Sequence, residues 1–110
     1  LTRFYWLVSN QATDSMRRVS SLSNIKRYGL PNNERHRLQL HFSRNCVDWC
    51  FAGMVACSTN ELYSRNYPSA VIKGDDLHIV CRSADEHALN PQYNNMITHH
   101  IVSNFRQLIY

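Results

Sequence analysis

The chain lacks a long hydrophobic run, a paired cysteine motif and a convincing long helix. No apolar stretch in its 110 residues approaches the length of a membrane span. The four cysteines, at positions 46, 50, 57 and 81, include no Cys-x-x-Cys pair, and no histidine stands at finger spacing from them, which argues against a zinc module. They are too few for a disulfide scaffold. They read as buried free thiols, with a Cys46–Cys57 bridge left open as the alternative. The opening, LTRFYWLVSN, has no initiator Met, no basic leader and no signal-peptide core with a cleavage site. It begins mid-strand and the closing LIY looks mid-element. The sequence therefore reads as a piece of a longer chain, with its compartment undetermined.

What is present fits one domain or part of one. Two Trp, six Tyr and four Phe are enough aromatics for a core. The net charge of +4 permits an anionic partner, whether nucleic acid, acidic sugar or membrane surface. A mildly basic surface is the simpler reading. The basic residues Arg17, Arg18, Lys26 and Arg27 lack interleaved aromatics and any RNA-binding signature, so no nucleic-acid partner is expected.

Residues 4–10 are apolar on both faces and predict a buried strand. Residues 11–35 are polar. Within them Met16, Val19, Leu22 and Ile25 recur every three residues, which allows a short helix starting near Asp14 and ending at Gly29. Residues 37–43 alternate, with Leu38, Leu40 and Phe42 inward and Gln39 and His41 outward. Residues 49–56 predict another strand, and residues 57–67 a polar loop. Strands at 69–73 and 77–82 flank Gly-Asp-Asp, where Gly74 supplies the positive φ of a hairpin and Asp75 can bond turn amides. A second polar loop covers residues 83–96, a strand follows at 97–102, and Ser-Asn-Phe turns the chain again. At least six short strands joined by turns predict an antiparallel all-β architecture.

A weak internal repeat organises them. RLQLHFSRNCVDW and MITHHIVSNFRQL both run from a strand to a Ser/Asn turn and then to an apolar or aromatic segment. Residues 1–56 read as strands two to four of one four-stranded unit and residues 57–110 as strands one to three of the next, the pattern of a propeller. The turn Ser43-Arg44-Asn45 with Trp49 resembles a degenerate Asp-box, Ser-x-Asp-x-Gly-x-Thr-Trp, with Asn in place of Asp and Val47 at the place of Gly. YWLVSN followed by RHRLQLHFS, then NYPSAVIKGDDLHIVCRSA, then NNMITHHIVSNFR, resemble consecutive segments of sialidase-like β-propellers. In the turn, Asn45 is expected to accept backbone N–H groups and Trp49 to bury its ring between sheets.

The resemblance implies a sialidase-type propeller of four-stranded blades, about two of them here. It implies a glycoside hydrolase acting on terminal sugars of glycans, or a non-catalytic carbohydrate-binding or structural propeller. The implied partners are a glycan and the remaining blades. No cofactor is implied, and a secreted or periplasmic location follows if the whole protein is of this kind. In such propellers the box turns lie away from the active site, so the other rim, with Asn10 and the loops at 11–35, 57–67 and 82–96, is the one to search.

On that rim Arg82 ends the strand LHIVCR and could clamp a carboxylate, or else pair with Asp85 or Glu86. Arg35 precedes the strand RLQL, where the family also carries Arg, or is a solvated loop charge. Tyr67 resembles the nucleophilic Tyr of sialidases, with Glu61 as a distant candidate for its carboxylate partner and Pro68 where the family has Ser; otherwise it packs at a strand entrance. Asn95 matches a family Asn, or serves a turn. Gln92 and Tyr93 stand where relatives often carry His-Asp, which removes a titratable pair. Asn10 is a polar sugar contact or a strand cap. His99 and His100 are neighbours on a strand, so they point to opposite faces and do not share a metal ion. No metal site is expected of them, and His99, where relatives have Phe, reads as a packing residue.

Overall fold

The fold, taken from a computed structural model, is described for residues 3–10, 35–60, 63–88 and 94–110. Strands β1 (Tyr5–Asn10), β2 (Arg37–Ser43) and β3 (Trp49–Cys57) form one antiparallel sheet in the order β1-β2-β3. Strands β4 (Arg65–Lys73), β5 (Asp76–Ser83) and β6 (Met96–Val102) form a second in the order β4-β5-β6. A 3-10 turn at Phe105–Leu108 follows. The architecture is all-β as expected, with three strands in each sheet. The helix expected from Asp14 to Gly29 and the basic residues Arg17, Arg18, Lys26 and Arg27 lie outside the described residues.

The period-two pattern decides which faces meet. Leu38, Leu40 and Phe42 of β2 are fully buried, as are Leu77, Ile79 and Cys81 of β5, and Phe105 closes the cluster from the 3-10 turn. Trp6, Val8, Ala52, Val55, Ala56 and Val102 pack around it. The two sheets thus lie face to face, and each fully buried Leu, Ile or Phe stabilises the pair by about 1.5–3 kcal/mol. β3 is longer than β2. Register shifts between Leu38 and Gln39 and between Leu40 and His41 insert one extra β3 residue each, Val55 and Ala52, both of which turn to the core.

Several expectations need correction here. Trp49 does not bury its ring between the sheets. It is 38% exposed, because it pairs with Ser43 and so falls on the face that carries Tyr5, Leu7, His41 and Phe51. Trp6 does that job, with its ring 4.8 Å from Phe105 and 5.8 Å from Phe42. β1 is not buried on both faces, since Tyr5 and Leu7 are exposed. Gln39, expected outward, is buried in mid-sheet between Ser9 and Met54. Of the four free thiols only Cys81 is buried; Cys50 is half-buried, and Cys46 and Cys57 are exposed at a turn and a strand end.

The turn rim is built from short polar side chains. Ser43 Oγ accepts the N–H groups of Cys46 (2.9 Å) and Asn45 (3.2 Å), while Asn45 Oδ1 accepts those of Val47 (2.9 Å) and Asp48 (2.8 Å). Asn45 Nδ2 donates to Asp48 at 2.8 Å. The role expected of Asn45 is met. The left-handed residue of this turn is Cys46, at φ 62°, and not Val47. Gly74, at φ 62°, makes the β4–β5 hairpin as expected. Asp75 bonds no turn amide through its side chain; Asp76 Oδ1 accepts the Asn104 N–H (3.1 Å), and the Asp75 carbonyl accepts that of Phe105 (3.2 Å).

The inner face of the second sheet also carries a polar chain. Ser83 Oγ is 2.7 Å from Thr98 Oγ1, which is 2.9 Å from His100 Nε2. Burial, with the positive charge of Arg65 and of His99, pushes His100 below the usual histidine range. Protonation therefore favours the unfolded chain. The stability that His100 contributes is complete above pH ~6.5 and is lost as the pH falls through its folded pKa. Denaturation midpoints should drop between pH 7.5 and 5, and His100→Gln should flatten that slope; an unchanged slope refutes it. At the other rim, Cys46→Gly removes a left-handed side chain that is exposed. It should stabilise the fold by about 1 kcal/mol, read as a rise of a few degrees in Tm.

Candidate functional site

The rim opposite the turns collects the ends of all six strands, and its backbone is tied together by one amide. Asn10 ends β1. Its Nδ2 donates to the carbonyls of Arg37 and Arg65, each at 2.8 Å, and approaches that of Arg35 at 3.5 Å. The Arg65 N–H donates to Arg35 O at 2.7 Å. The first sheet is thereby bonded to the start of β4 in the second. Asn10 is a structural clamp in this arrangement, and its amide is spent on backbone.

β4 is interrupted just beyond. Asn66 pairs with Arg82 and Ser69 with Val80, so β4 spends three steps where β5 spends two. The extra residue is at Tyr67-Pro68, where Pro68 cannot donate to the ladder and Tyr67 takes a left-handed φ of 49°. A bulge of this kind re-aims a side chain. Tyr67 is turned out, 63% exposed, into the space between two guanidinium groups. Arg35, at the entry to β2, lies over its ring at 5.2 Å, and Arg82, near the end of β5, at 5.5 Å. The Arg35 guanidinium hydrogen-bonds the phenol and adds its charge, and Arg82 adds a further positive charge; together they outweigh desolvation and hold Tyr67 below the usual tyrosine range. The structure thus brings together Arg35, Tyr67 and Arg82. Arg82 makes no ion pair with Asp85 or Glu86.

Those two carboxylates have other partners. Asp85 Oδ1 accepts from Asn95 Nδ2 (2.9 Å) and from the His87 N–H (2.9 Å), contacts that hold it below the usual carboxylate range, Asn95 first. Asn95 returns its Oδ1 to the Asp85 N–H at 3.3 Å. It serves a loop closure at the start of β6, beside the rim. Glu86 is lowered chiefly by its hydrogen bond with Tyr63, whose own titration is raised by the same bond. Behind the rim Asn66 is fully buried and donates to Asn94 Oδ1 (2.8 Å) and to Ser64 Oγ (3.3 Å). These buried contacts fix the strand start that precedes the bulge. Sequence reading missed Asn66; an Asn two residues before a Pro carries no distinguishing signal.

A cleft of about 250 Å³ opens on the same rim, lined by His36, Ala56, Cys57, Ser58, Tyr63 and Arg65. It does not include Tyr67 or Arg82. Glu61, Gln92 and Tyr93, the other residues singled out for chemistry, lie outside the described residues. Among the described residues no carboxylate acts on Tyr67. The arrangement is therefore a half-buried and an exposed cation around a phenol, suited to hold an anion.

Compared with known proteins, the chain matches no family model, no curated protein and no solved structure.

The titration of Tyr67 is directly checkable. Ring-carbon NMR should find Tyr67 ionising below the usual tyrosine range. Arg35→Gln should shift it upward more than Arg82→Gln does. Equal effects, or none, contradict the contacts described.

Proposed function

We propose that the chain supplies two neighbouring blades to a sialidase-like β-propeller glycoside hydrolase, and that Arg35 and Arg82 bind the carboxylate of a terminal acidic sugar beside Tyr67. The observation that carries this reading is the convergence of two arginines, one from each sheet, on one exposed tyrosine. A guanidinium presents parallel N–H groups that match a carboxylate, and two such groups on one rim recognise charge and shape together. Arg82 makes no hydrogen bond among the described residues, which leaves its donors to a ligand. The outward faces of both sheets carry apolar side chains, Leu7, Trp49, Phe51 and Met54 on one and Val71, Val80, Ile97 and Ile101 on the other. Further sheets stacked on either side account for such faces, as in a ring of blades.

In this reading Tyr67 is the nucleophile, and its lowered titration favours the phenolate. The carboxylate that would assist it comes from elsewhere in the protein, with Glu61 the candidate within this chain. A second reading is favoured by one observation. No carboxylate among the described residues reaches Tyr67, and on that observation the rim reads as a binding surface without turnover, a carbohydrate-binding propeller.

Sialoside binding and hydrolysis by the full-length protein separate these. Arg35→Ala and Arg82→Ala are each expected to weaken binding by about tenfold or more. If Tyr67→Phe abolishes sugar release while binding persists, the hydrolase reading stands. Binding with no release supports the module. Sialoside affinity indifferent to both arginines overturns the proposal.

A further inference from the structure

The outward face of the second sheet holds a histidine pair that neither the rim nor the fold uses. His78 of β5 alternates with buried Leu77 and Ile79 and so faces outward. His99 of β6 pairs with Val80, one outward position along from His78, and the ladder sets the two imidazoles diagonally across adjacent strands. His78 Nδ1 lies 2.9 Å from His99 Nε2. The ring centroids are 5.1 Å apart and the planes differ by 24°. A nitrogen sits about 1.1 Å from its ring centre, so these distances describe nearly coplanar rings meeting nitrogen to nitrogen. One N–H is shared between them. Their other ring nitrogens bond nothing among the described residues. His100, the sequence neighbour, is on the opposite face with Thr98.

We propose that His78 and His99 form a cross-strand bis-imidazole site for a divalent transition ion of the nickel–copper class. Metal–imidazole bonds of about 2.0–2.1 Å at a right angle require nitrogens about 2.9 Å apart, and a tetrahedral angle requires about 3.3–3.4 Å. The observed separation fits the right angle of a tetragonal ion, with water in the remaining positions. Each lone pair swings by roughly 45° to aim at a common point, a motion shared between the two side-chain torsions of each histidine. The shared proton does not block the ion. The tautomer shifts so that the N–H groups lie on His78 Nε2 and His99 Nδ1; two lone pairs then face the metal and no net proton is released from the neutral pair. The strands hold the two side chains together before the ion arrives, so little further ordering is required. In this chain the site is open to solvent, since His99 is exposed and Val71, Val80 and Ile101 around it are exposed apolar groups that offer no competing charge; a further sheet stacked on this face, as in the reading above, would cover it, so the site belongs to the chain with that face uncovered.

Nickel(II) is the appropriate probe, because the exposed thiols of Cys46 and Cys57 reduce copper(II). Calorimetry on the whole chain with these thiols blocked should find one strong nickel site. His78→Gln and His99→Gln should each weaken it by about tenfold or more, and His87→Gln, at an exposed single histidine, should not. In the unaltered chain, paramagnetic broadening at low nickel should strike the His78 and His99 ring signals first. Undiminished affinity in the doubly substituted chain overturns the site, as does first broadening at His36 or His87.

Discussion

The burial of Leu38 and Leu40 against Leu77, Ile79 and Phe105 sets the height at which the two sheets meet, and the site depends on that height. Arg35 belongs to the first sheet's rim and Arg82 to the second's. They reach one tyrosine only because the inner faces interlock in a single register, and a slip of one residue on β2 would turn Leu38, Leu40 and Phe42 outward. The Asn10 amide adds direction to this non-directional packing. By bonding Arg37 and Arg65 carbonyls at once, it ties the start of β2 to the start of β4 at the end where the arginines emerge. Hydrophobic area provides the stability, and one side-chain amide provides the alignment.

Among the described residues, left-handed backbone is confined to the two rims, and it serves different ends there. At Cys46, Asn104 and Gly74 it closes turns whose N–H groups are taken up by Ser43, Asn45, Asp76 and neighbouring carbonyls. At Tyr67 the same conformation lies inside a strand, next to a proline, and its effect is to lift a phenol out of the ladder. A left-handed tyrosine costs on the order of 1–2 kcal/mol, and the buried Asn66, Ser64 and Asn94 contacts beside it hold the strand in place against that cost.

Much of this was legible from residue order. Alternation in RLQLHFS fixes β2 to its exact ends, and the Gly-Asp-Asp hairpin and the Ser-x-Asn turn are local chemistry, decided within four or five residues. Two things were not. Parity alone places Trp49 wherever its ladder partner faces, and that partner, Ser43, is set by the length of the turn over residues 44–48. Asn10 and Asn95 read as candidate sugar contacts because a polar residue at a strand end looks the same whether it bonds backbone or ligand. Only the positions of carbonyls from strands 25 to 55 residues away decide the matter for Asn10. Likewise, His99 was judged against His100, its chain neighbour, when its partner is His78 on the next strand.

The two rims and the two outward faces therefore differ in what they have left unsatisfied, and that difference locates function better than any single motif. The turn rim has bonded its turn amides within the chain. The inner faces are filled, their few polar groups bonded to one another along Ser83, Thr98 and His100. What remains open are the guanidinium groups around Tyr67, whose ring offers them attraction but few acceptors, and the exposed aliphatic faces. Charged donors left facing a phenol call for an anion of carboxylate geometry, while aliphatic sheet faces call for further sheet. The proposed ring of blades would meet both demands together, because stacking would cover the faces and leave the rim, with its cations, open to solvent.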